Sequence, residues 1–174
     1  MRDDGARQAE PVLFGEHLAN SQAFAALFRE GMTLVEETAG YLDGPGRKES
    51  KDIGRSAALA YATESMRLTT RLMQLASWLL LHRAVKEGEM TLAQANQEKA
   101  KVKLSPVDTT DPHNLPLLPA HLRDLIARSQ DLQTRVRRLD ATINATTTAS
   151  PSTVPNPVEE QMGLLKAAFG ADAG

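Results

Sequence analysis

Apolar residues recur at helical spacing along the first part of the chain. Phe24, Leu27, Phe28, Val35, Ala39 and Leu42 follow one another at intervals of three or four, with polar residues mostly on the opposite arc. This pattern predicts an amphipathic helix with one wet side. Asn20 or Ser21 can cap its start. The string Asp43-Gly44-Pro45-Gly46 ends it, because Gly accepts a left-handed stop and Pro cannot continue the hydrogen-bond ladder.

A second, longer helix is predicted from Asp52 to Glu87, with no Pro inside and one Gly near its start. At ~1.5 Å per residue it would be ~50 Å long. Two apolar seams run side by side along it. The methionine seam consists of Leu59, Ala62, Met66, Met73, Ala76 and Leu80, and the leucine seam consists of Leu68, Leu72, Leu75 and Leu79. Together they cover about half of the helix surface, which is wider than one neighbouring helix requires.

The leucine seam beside the methionine seam gives this helix two apolar neighbours. We therefore expect Leu68, Leu72, Leu75 and Leu79 to contribute to a two-fold homodimer interface, since most homodimers use one self-complementary patch. The competing interpretation is that the first and third helices of the same chain fill both seams and that dimerisation occurs elsewhere.

The opposite arc of the long helix carries a polar strip, defined as Glu64, Arg67, Arg71 and Gln74, beside Trp78. Trp and Arg are enriched among binding hot spots because both offer area and directional contacts. The strip is therefore expected to face away from the core and to bind a partner. The alternative is an intrahelical pair of Glu64 with Arg67 beside a partly buried Trp.

The rest of the chain predicts one more long helix. Gly88 closes the second helix, and Thr91 with Gln94 forms a capping box for a short polar helix that ends near Lys101. Four prolines between residues 104 and 119 predict an extended crossover loop. From Pro119 onward a narrow stripe predicts the third helix: Leu122, Leu125, Ile126, Leu132, Val136, Leu139 and Ile143. The fold class is therefore all-α, a three-helix bundle with one long central helix.

Three regions follow from these patterns. Residues 1–20 are predicted to be an N-terminal arm, residues 21–143 the helical bundle domain, and residues 144–174 a disordered tail rich in Thr, Ser and Pro. Within the tail, the apolar side chains of a short amphipathic segment predict a tethered docking peptide: Val158, Met162, Leu165 and Phe169. The alternative is a frayed terminus without a role.

Composition narrows the class of protein. Hydrophobic residues make up 41% of the chain but aromatic residues only 4%, which suits helices better than strands. There is no cysteine, which excludes disulfides and thiolate metal sites. The net charge of −2 gives no bulk attraction for nucleic acid. The first residues do not form a signal peptide and the apolar runs are too short to span a bilayer, so we expect a cytoplasmic protein without membrane insertion.

The sequence contains no recognisable catalytic or metal-binding motif. The chain has no Gly-x-Ser-x-Gly turn, and none of the four histidines has a Glu or His at helical ligand spacing. Asp111, His113 and His121 could meet around a loop, but a solvated loop is the favoured interpretation. We expect no enzyme activity and no cofactor; an active site assembled in a dimer cleft is the least favoured alternative.

Two strings make the chain recognisable. FREGMTLVEETAGYLDGPGR at residues 28–47 and AYATESMRLTTRLMQLASWLLLHRAVK at residues 60–86 resemble the RcdA family of alphaproteobacteria, the regulators of CtrA degradation. The resemblance spans roughly residues 14–143. No family motif transfers a functional role to a particular position.

The resemblance implies a three-helix bundle that forms a homodimer and serves the ClpXP protease as an adaptor. In this family the protein joins a protease primed by the response-regulator-like CpdR. It then links cargo such as CtrA, or the cyclic-di-GMP-binding adaptor PopA, to the protease. Such a role is compatible with recruitment to a cell pole. The alternative is a helical scaffold or signalling module that binds a kinase or polar partner without delivering cargo.

Overall fold

The computed structural model describes residues 9–102 and 110–148 of the chain, and the side chains of residues 20–102 and 110–145. All regular structure within these ranges is helical, so the all-α prediction is confirmed. The elements are α1 (Ala9–Asp43), α2 (Pro45–Asp52), α3 (Arg55–Lys86), α4 (Leu92–Lys101), a short 3-10 helix (Leu115–Leu117) and α5 (Ala120–Thr148).

The three long helices α1, α3 and α5 are the predicted bundle. Lys86 at the end of α3 donates a hydrogen bond of 2.7 Å to the Ser21 hydroxyl early in α1, so these helices run antiparallel. His121 near the start of α5 stacks on Tyr41 near the end of α1, with 4.6 Å between ring centroids. Helix α1 therefore runs antiparallel to both α3 and α5, and the long crossover between α3 and α5 makes those two parallel.

Helix α1 begins at Ala9, twelve residues before the predicted start. The predicted arm is therefore wrong for residues 9–20. Pro11 is the third residue of the helix. Proline is tolerated in the first turn because the amides there have no partner within the helix.

A helix that the sequence pattern did not predict follows α1 after a single residue. Gly44 separates α1 from α2, and Pro45 is the first residue of α2, where its fixed φ suits a helix start. The Gly-Pro-Gly string therefore breaks one helix and begins the next. Gly46 is buried there, and a Cβ added to it would lie 2.5 Å from the Tyr61 hydroxyl and 2.9 Å from the Tyr41 ring. The close approach of these rings requires glycine.

The predicted caps around α4 are confirmed. Gly88 adopts φ 76°, and its amide and that of Glu89 donate to the carbonyls of Val85 and Ala84, which closes α3 in a Schellman motif. The Thr91 hydroxyl accepts from the Gln94 amide at 3.2 Å, while the Gln94 side chain accepts from the Thr91 amide at 2.9 Å.

Helix α5 continues to Thr148, so the predicted tail is wrong for residues 144–148. No Pro or Gly stops the helix before Pro151, and the residue before a proline disfavours the helical conformation. The described residues divide into two units after Leu139, and within the second unit residues 140–148 are helical. The docking peptide predicted at Val158, Met162, Leu165 and Phe169 lies outside the described residues.

Candidate protein-binding surfaces

The leucine seam lies in the core of a single chain. Leu68, Leu72, Leu75 and Leu79 are 0–4% exposed, packed among the apolar side chains of α1 and α5. The prediction that these four leucines form a surface for a second copy is therefore wrong. The buried apolar side chains of α1 and α5 in the same core include Phe24, Leu27, Leu34, Leu122, Leu125, Leu132 and Val136. The competing interpretation, in which helices of the same chain cover this seam, holds for the leucines.

Most of the polar strip is also inside the bundle. Glu64, Arg71 and Trp78 are at most 4% exposed, so the prediction that they form an outward surface is wrong. Arg71 is tolerated there because it donates a hydrogen bond of 2.9 Å to the Ser129 hydroxyl on α5. That hydroxyl in turn donates to the Ile126 carbonyl at 2.7 Å. Buried polar groups cost little when such partners are present.

Glu64 is held in the same way. Its carboxylate accepts from the Arg67 guanidinium at 3.0 Å and from the Asn114 amide at 3.1 Å. The intrahelical pair of Glu64 with Arg67 that we weighed against partner binding is therefore present. Asn114, which ties the crossover segment to α3, was missed because a lone Asn in a proline-rich loop carries no distinctive signal. Arg67 is 42% exposed and Gln74 is half-buried, so these two keep contact with solvent.

Trp78 belongs to an aromatic cluster at the far end of the bundle. Its ring lies 4.0 Å from that of His82 and 6.4 Å from that of Phe24, measured between centroids. The ammonium of Lys99, on α4, lies 3.2 Å from His82 Nε2. Since an ammonium can only donate, the ring nitrogen is the acceptor in this contact. The cluster therefore fixes α4 against α3.

The outward face of α3 is apolar. Leu59, Met66, Met73 and Leu80 are 71%, 73%, 66% and 52% exposed, so the competing interpretation, in which helices of the same chain fill both seams, does not hold for the methionine seam. These four residues lie seven apart, and Ala62 and Ala76 fall between them. A seven-residue apolar repeat is the pattern that packs one helix along another. Large contiguous apolar patches on a soluble chain mark protein interaction sites.

The four large side chains of the methionine seam have the same order, Leu-Met-Met-Leu, in both directions along the helix. Its midpoint lies between Thr69 and Thr70; Met66 and Met73 are equidistant from it, as are Leu59 and Leu80. At intermediate distances, Ala62 and Thr63 on one side match Ser77 and Ala76 on the other. A surface with this mirror order offers the same side chains to an antiparallel copy of itself.

A second cluster joins α1 to α5. Glu37 makes a two-pronged pair with Arg128, with oxygen–nitrogen distances of 2.9 and 2.8 Å, and His121 lies 3.9 Å away. The hydrogen bond from Arg128 lowers the pKa of Glu37 below its ordinary value of 4.5. Burial, together with the hydrogen bond to Glu49, raises the pKa of Tyr41. These contacts tie α1 to α5 through Glu37 and Arg128, and α1 to α2 through Tyr41 and Glu49.

The described part of the chain offers neither a cluster of metal ligands nor a membrane-spanning helix. No three His, Asp or Glu side chains within residues 20–102 and 110–145 gather closely enough to hold a metal ion. In the same ranges no helix is both long and apolar enough to cross a membrane. Asp111 and His113 are joined by a turn, with the His113 amide donating to the Asp111 carboxylate at 2.9 Å, while His121 stacks on Tyr41.

Comparison with known proteins settles the family. A family model described as "Protein of unknown function (DUF1465)" matches residues 15–169. The solved structure of RcdA from Caulobacter crescentus CB15 is 54% identical, covers 67% of this chain and 87% of that one, and superposes with a TM-score of 0.55. The chain belongs to the RcdA family. A comparison with curated proteins returns no match.

The match to the family model covers all of α3 in this RcdA-family chain. The sequence pattern predicted both apolar seams of this helix, but the prediction placed the wrong seam on the outside. The regular interval of seven between Leu59, Met66, Met73 and Leu80 was a usable signal, because the leucine seam lacks it and instead follows the three- and four-residue spacing of a core.

Proposed function

We propose that this RcdA-family chain is a non-enzymatic adaptor in regulated proteolysis. It links cargo proteins such as CtrA, or a second adaptor such as the cyclic-di-GMP-binding PopA, to the ClpXP protease primed by CpdR. The observation that carries the proposal is the 54% identity to RcdA over most of that chain. The exposed methionine seam supports it, because an adaptor acts through protein-binding surfaces.

Reconstituted degradation tests the proposal directly. Purified ClpXP and CpdR should degrade cargo faster when this chain is added, with or without PopA according to the cargo. A chain that binds a kinase or a polar scaffold but leaves the turnover of every cargo unchanged would instead be the scaffold or signalling module. A catalytic change in cargo without protease would point to an enzyme.

We further propose that the chain forms a homodimer through the methionine seam and not through the leucine seam. Four large apolar side chains at intervals of seven favour a helix as the occupant of this face. The mirror order favours a second copy over an unrelated helix, since a two-fold interface applies one patch to itself. The two α3 helices would run antiparallel, with Met66 facing Met73 of the partner subunit and Leu59 facing Leu80 of the partner subunit.

The small residues of the seam support the same pairing. Ala62 lies between Leu59 and Met66 and Ala76 lies between Met73 and Leu80, so the large side chains of one helix have room between those of the other. Methionine is unbranched and adaptable, which suits a contact between identical side chains around a two-fold axis. Removal of this apolar face from water would supply the main driving force.

The role proposed for the tail is a tethered docking peptide, built from Val158, Met162, Leu165 and Phe169. A tether raises the effective concentration of a weak peptide to about millimolar. Deletion of residues 150–174 should leave the melting temperature nearly unchanged and slow the delivery of at least some cargo. Equal delivery of every cargo by the truncated chain would leave the tail without this role.

A further inference from the structure

A groove with an aromatic floor and a positively charged rim lies at one end of the bundle. It encloses about 610 Å³ between the first half of α1 and the C-terminal end of α3. Phe24, Phe28 and Met32 of α1 line it, and its α3 side is formed by Arg83, Lys86 and Glu87. The groove shares no residue with the polar strip or with the methionine seam.

The floor of the groove is packed against the aromatic cluster of the bundle. Phe24 is 6% exposed and contacts the rings of Trp78 and His82 below it, at 6.4 and 6.3 Å between centroids. Phe28 lies 6.2 Å from Phe24 and is half-buried. An apolar pocket of this size, formed before a ligand arrives, is typical of a site that receives two or three large apolar side chains.

The rim carries cations that stand over the aromatic rings. The Arg83 guanidinium lies 5.0 Å above the Phe28 centroid and the Lys86 ammonium 4.8 Å above that of Phe24. Arg29 also lines the groove, so three cations face two carboxylates, Glu36 and Glu87. Arg83 pairs with Glu87 at 2.8 Å, but both side chains are about half exposed. An incoming carboxylate can therefore compete for Arg83.

We propose that this groove binds an acidic amphipathic segment of a partner protein. Its apolar side chains would enter between Phe24, Phe28 and Met32, and its carboxylates would meet Arg29, Arg83 and Lys86. The proposed function supplies the identity of the partner protein, which would be a cargo protein or a second adaptor. The binding itself needs no protease, so direct binding and cargo degradation can fail independently.

The test uses the full chain and its own reporter. Trp78 is the only tryptophan and lies directly beneath Phe24, so its fluorescence should respond to a ligand in the groove. The probe is a tryptophan-free synthetic peptide of about 18 residues, long enough to form a helix, with Leu at every third or fourth position and Glu elsewhere. A second peptide has Lys in place of every Glu. We expect saturable binding of the acidic peptide and none of the basic one.

Two variants assign the binding to the groove. Ala25→Glu adds bulk and negative charge at an exposed groove position without removing a core contact. Arg83→Glu with Lys86→Glu reverses the rim. Each variant should lower the affinity for the acidic peptide by at least about tenfold. The control variant Arg123→Glu, at an exposed position on α5, should change that affinity by less than about twofold. Circular dichroism checks that each variant is folded.

Three outcomes would overturn the proposal. The first is absence of binding by the acidic peptide. The second is equal affinity in the parent chain, in Ala25→Glu and in the reversed rim, or equal binding of the basic peptide. The third is a monomeric Ala25→Glu chain in light scattering, because the groove would then hold a second copy. Cargo degradation that continues at the parental rate in a non-binding Ala25→Glu variant leaves the adaptor role intact and assigns cargo contact to another surface.

Discussion

Arg71 carries a charge into the middle of the bundle, where it is 4% exposed and donates to Ser129. A single polar residue of this kind cannot be placed from the sequence, because its cost depends on partners that come from a distant helix. Ser129 is 58 residues away along the chain. The periodicity of α3 identified Arg71 as different from the leucines beside it, but not whether a hydroxyl or water would satisfy it.

The residue-scale prediction is therefore a change in stability. Arg71→Ala should lower the free energy of unfolding by about 2–4 kcal/mol, because it leaves a buried cavity and removes the hydrogen bond that the Ser129 hydroxyl accepts. Arg123→Ala, at an exposed position on α5, should change the free energy by less than about 0.5 kcal/mol. Urea denaturation followed by circular dichroism measures both. Equal free energies of unfolding for the two variants would mean that Arg71 is exposed and not buried.

Glu37 supplies a prediction about pH. Its folded pKa lies below its ordinary value because Arg128 donates to the carboxylate. A carboxyl with a lowered folded pKa contributes stability that is present above the unfolded pKa and lost as the pH falls through the folded pKa. The free energy of unfolding should therefore fall as the pH is lowered from 4.5 through that pKa. Glu37→Gln should reduce this slope, while Glu36→Gln, at an exposed neighbouring position, should leave it unchanged.

At the scale of elements, the sequence predicted the three long helices, the α4 capping box and the turn at Gly88. It did not predict how α3 is rotated about its axis. Both arcs of α3 are apolar over part of their width, so hydrophobicity alone could not decide which arc meets α1 and α5. Periodicity also missed α2, whose eight residues are too few and too polar to form a stripe. Its packing depends on Tyr41 and Tyr61, which lie outside it.

A pair of glycines in α1 tests the packing of this element. A Cβ on Gly31 would lie 2.5 Å from Leu79 Cδ1 and 3.6 Å from Leu132 Cδ2, whereas one on Gly40 would meet nothing within 4 Å. Gly31→Ala should lower the free energy of unfolding by about 1–3 kcal/mol, because Leu79 is buried and must shift. Gly40→Ala should raise it by about 0.5–1 kcal/mol through helix propensity. Thermal melts compare the two; an equal gain in both would mean that α1 and α3 lie farther apart.

At the scale of the whole molecule, one helix serves two surfaces. The inner arc of α3 organises a core with polar contacts inside it, and the described residues leave the large apolar side chains of the outer arc exposed. This division accounts for an apolar arc that is wider than the core of the bundle requires. The candidate interface was thus predictable in kind, and its residues became evident only once α1 and α5 had covered the leucine seam.

Assembly can be tested with a matched pair of substitutions. Met73→Asp places two carboxylates inside the proposed interface, so it should weaken dimerisation by at least about a hundredfold and leave helical content unchanged. Leu117→Asp makes the same kind of change at an exposed apolar residue outside the methionine seam, 41% exposed, and should remain dimeric. Light scattering gives the masses. A dimeric Met73→Asp chain would exclude this face.

The direction of pairing can be read from disulfides, since the chain has no cysteine of its own. A chain carrying both Leu59→Cys and Leu80→Cys should form disulfide-linked dimers. Neither single variant should, because an antiparallel pair holds its two equivalent cysteines about 32 Å apart. Cross-linking of Leu59→Cys alone would instead indicate parallel helices.

The mirror order of the methionine seam also has a genetic consequence. Each Met66 would face Met73 of the partner subunit, so one substitution acts twice in every homodimer. When the Met66→Lys allele or the Met73→Glu allele is expressed alone, the homodimer has two charged side chains in the interface, and each faces a methionine side chain. In a mixed dimer, one contact becomes a Lys–Glu pair and the other keeps both methionines. Two inactive alleles should therefore complement each other in one cell, whereas Met66→Lys with Met73→Lys should not.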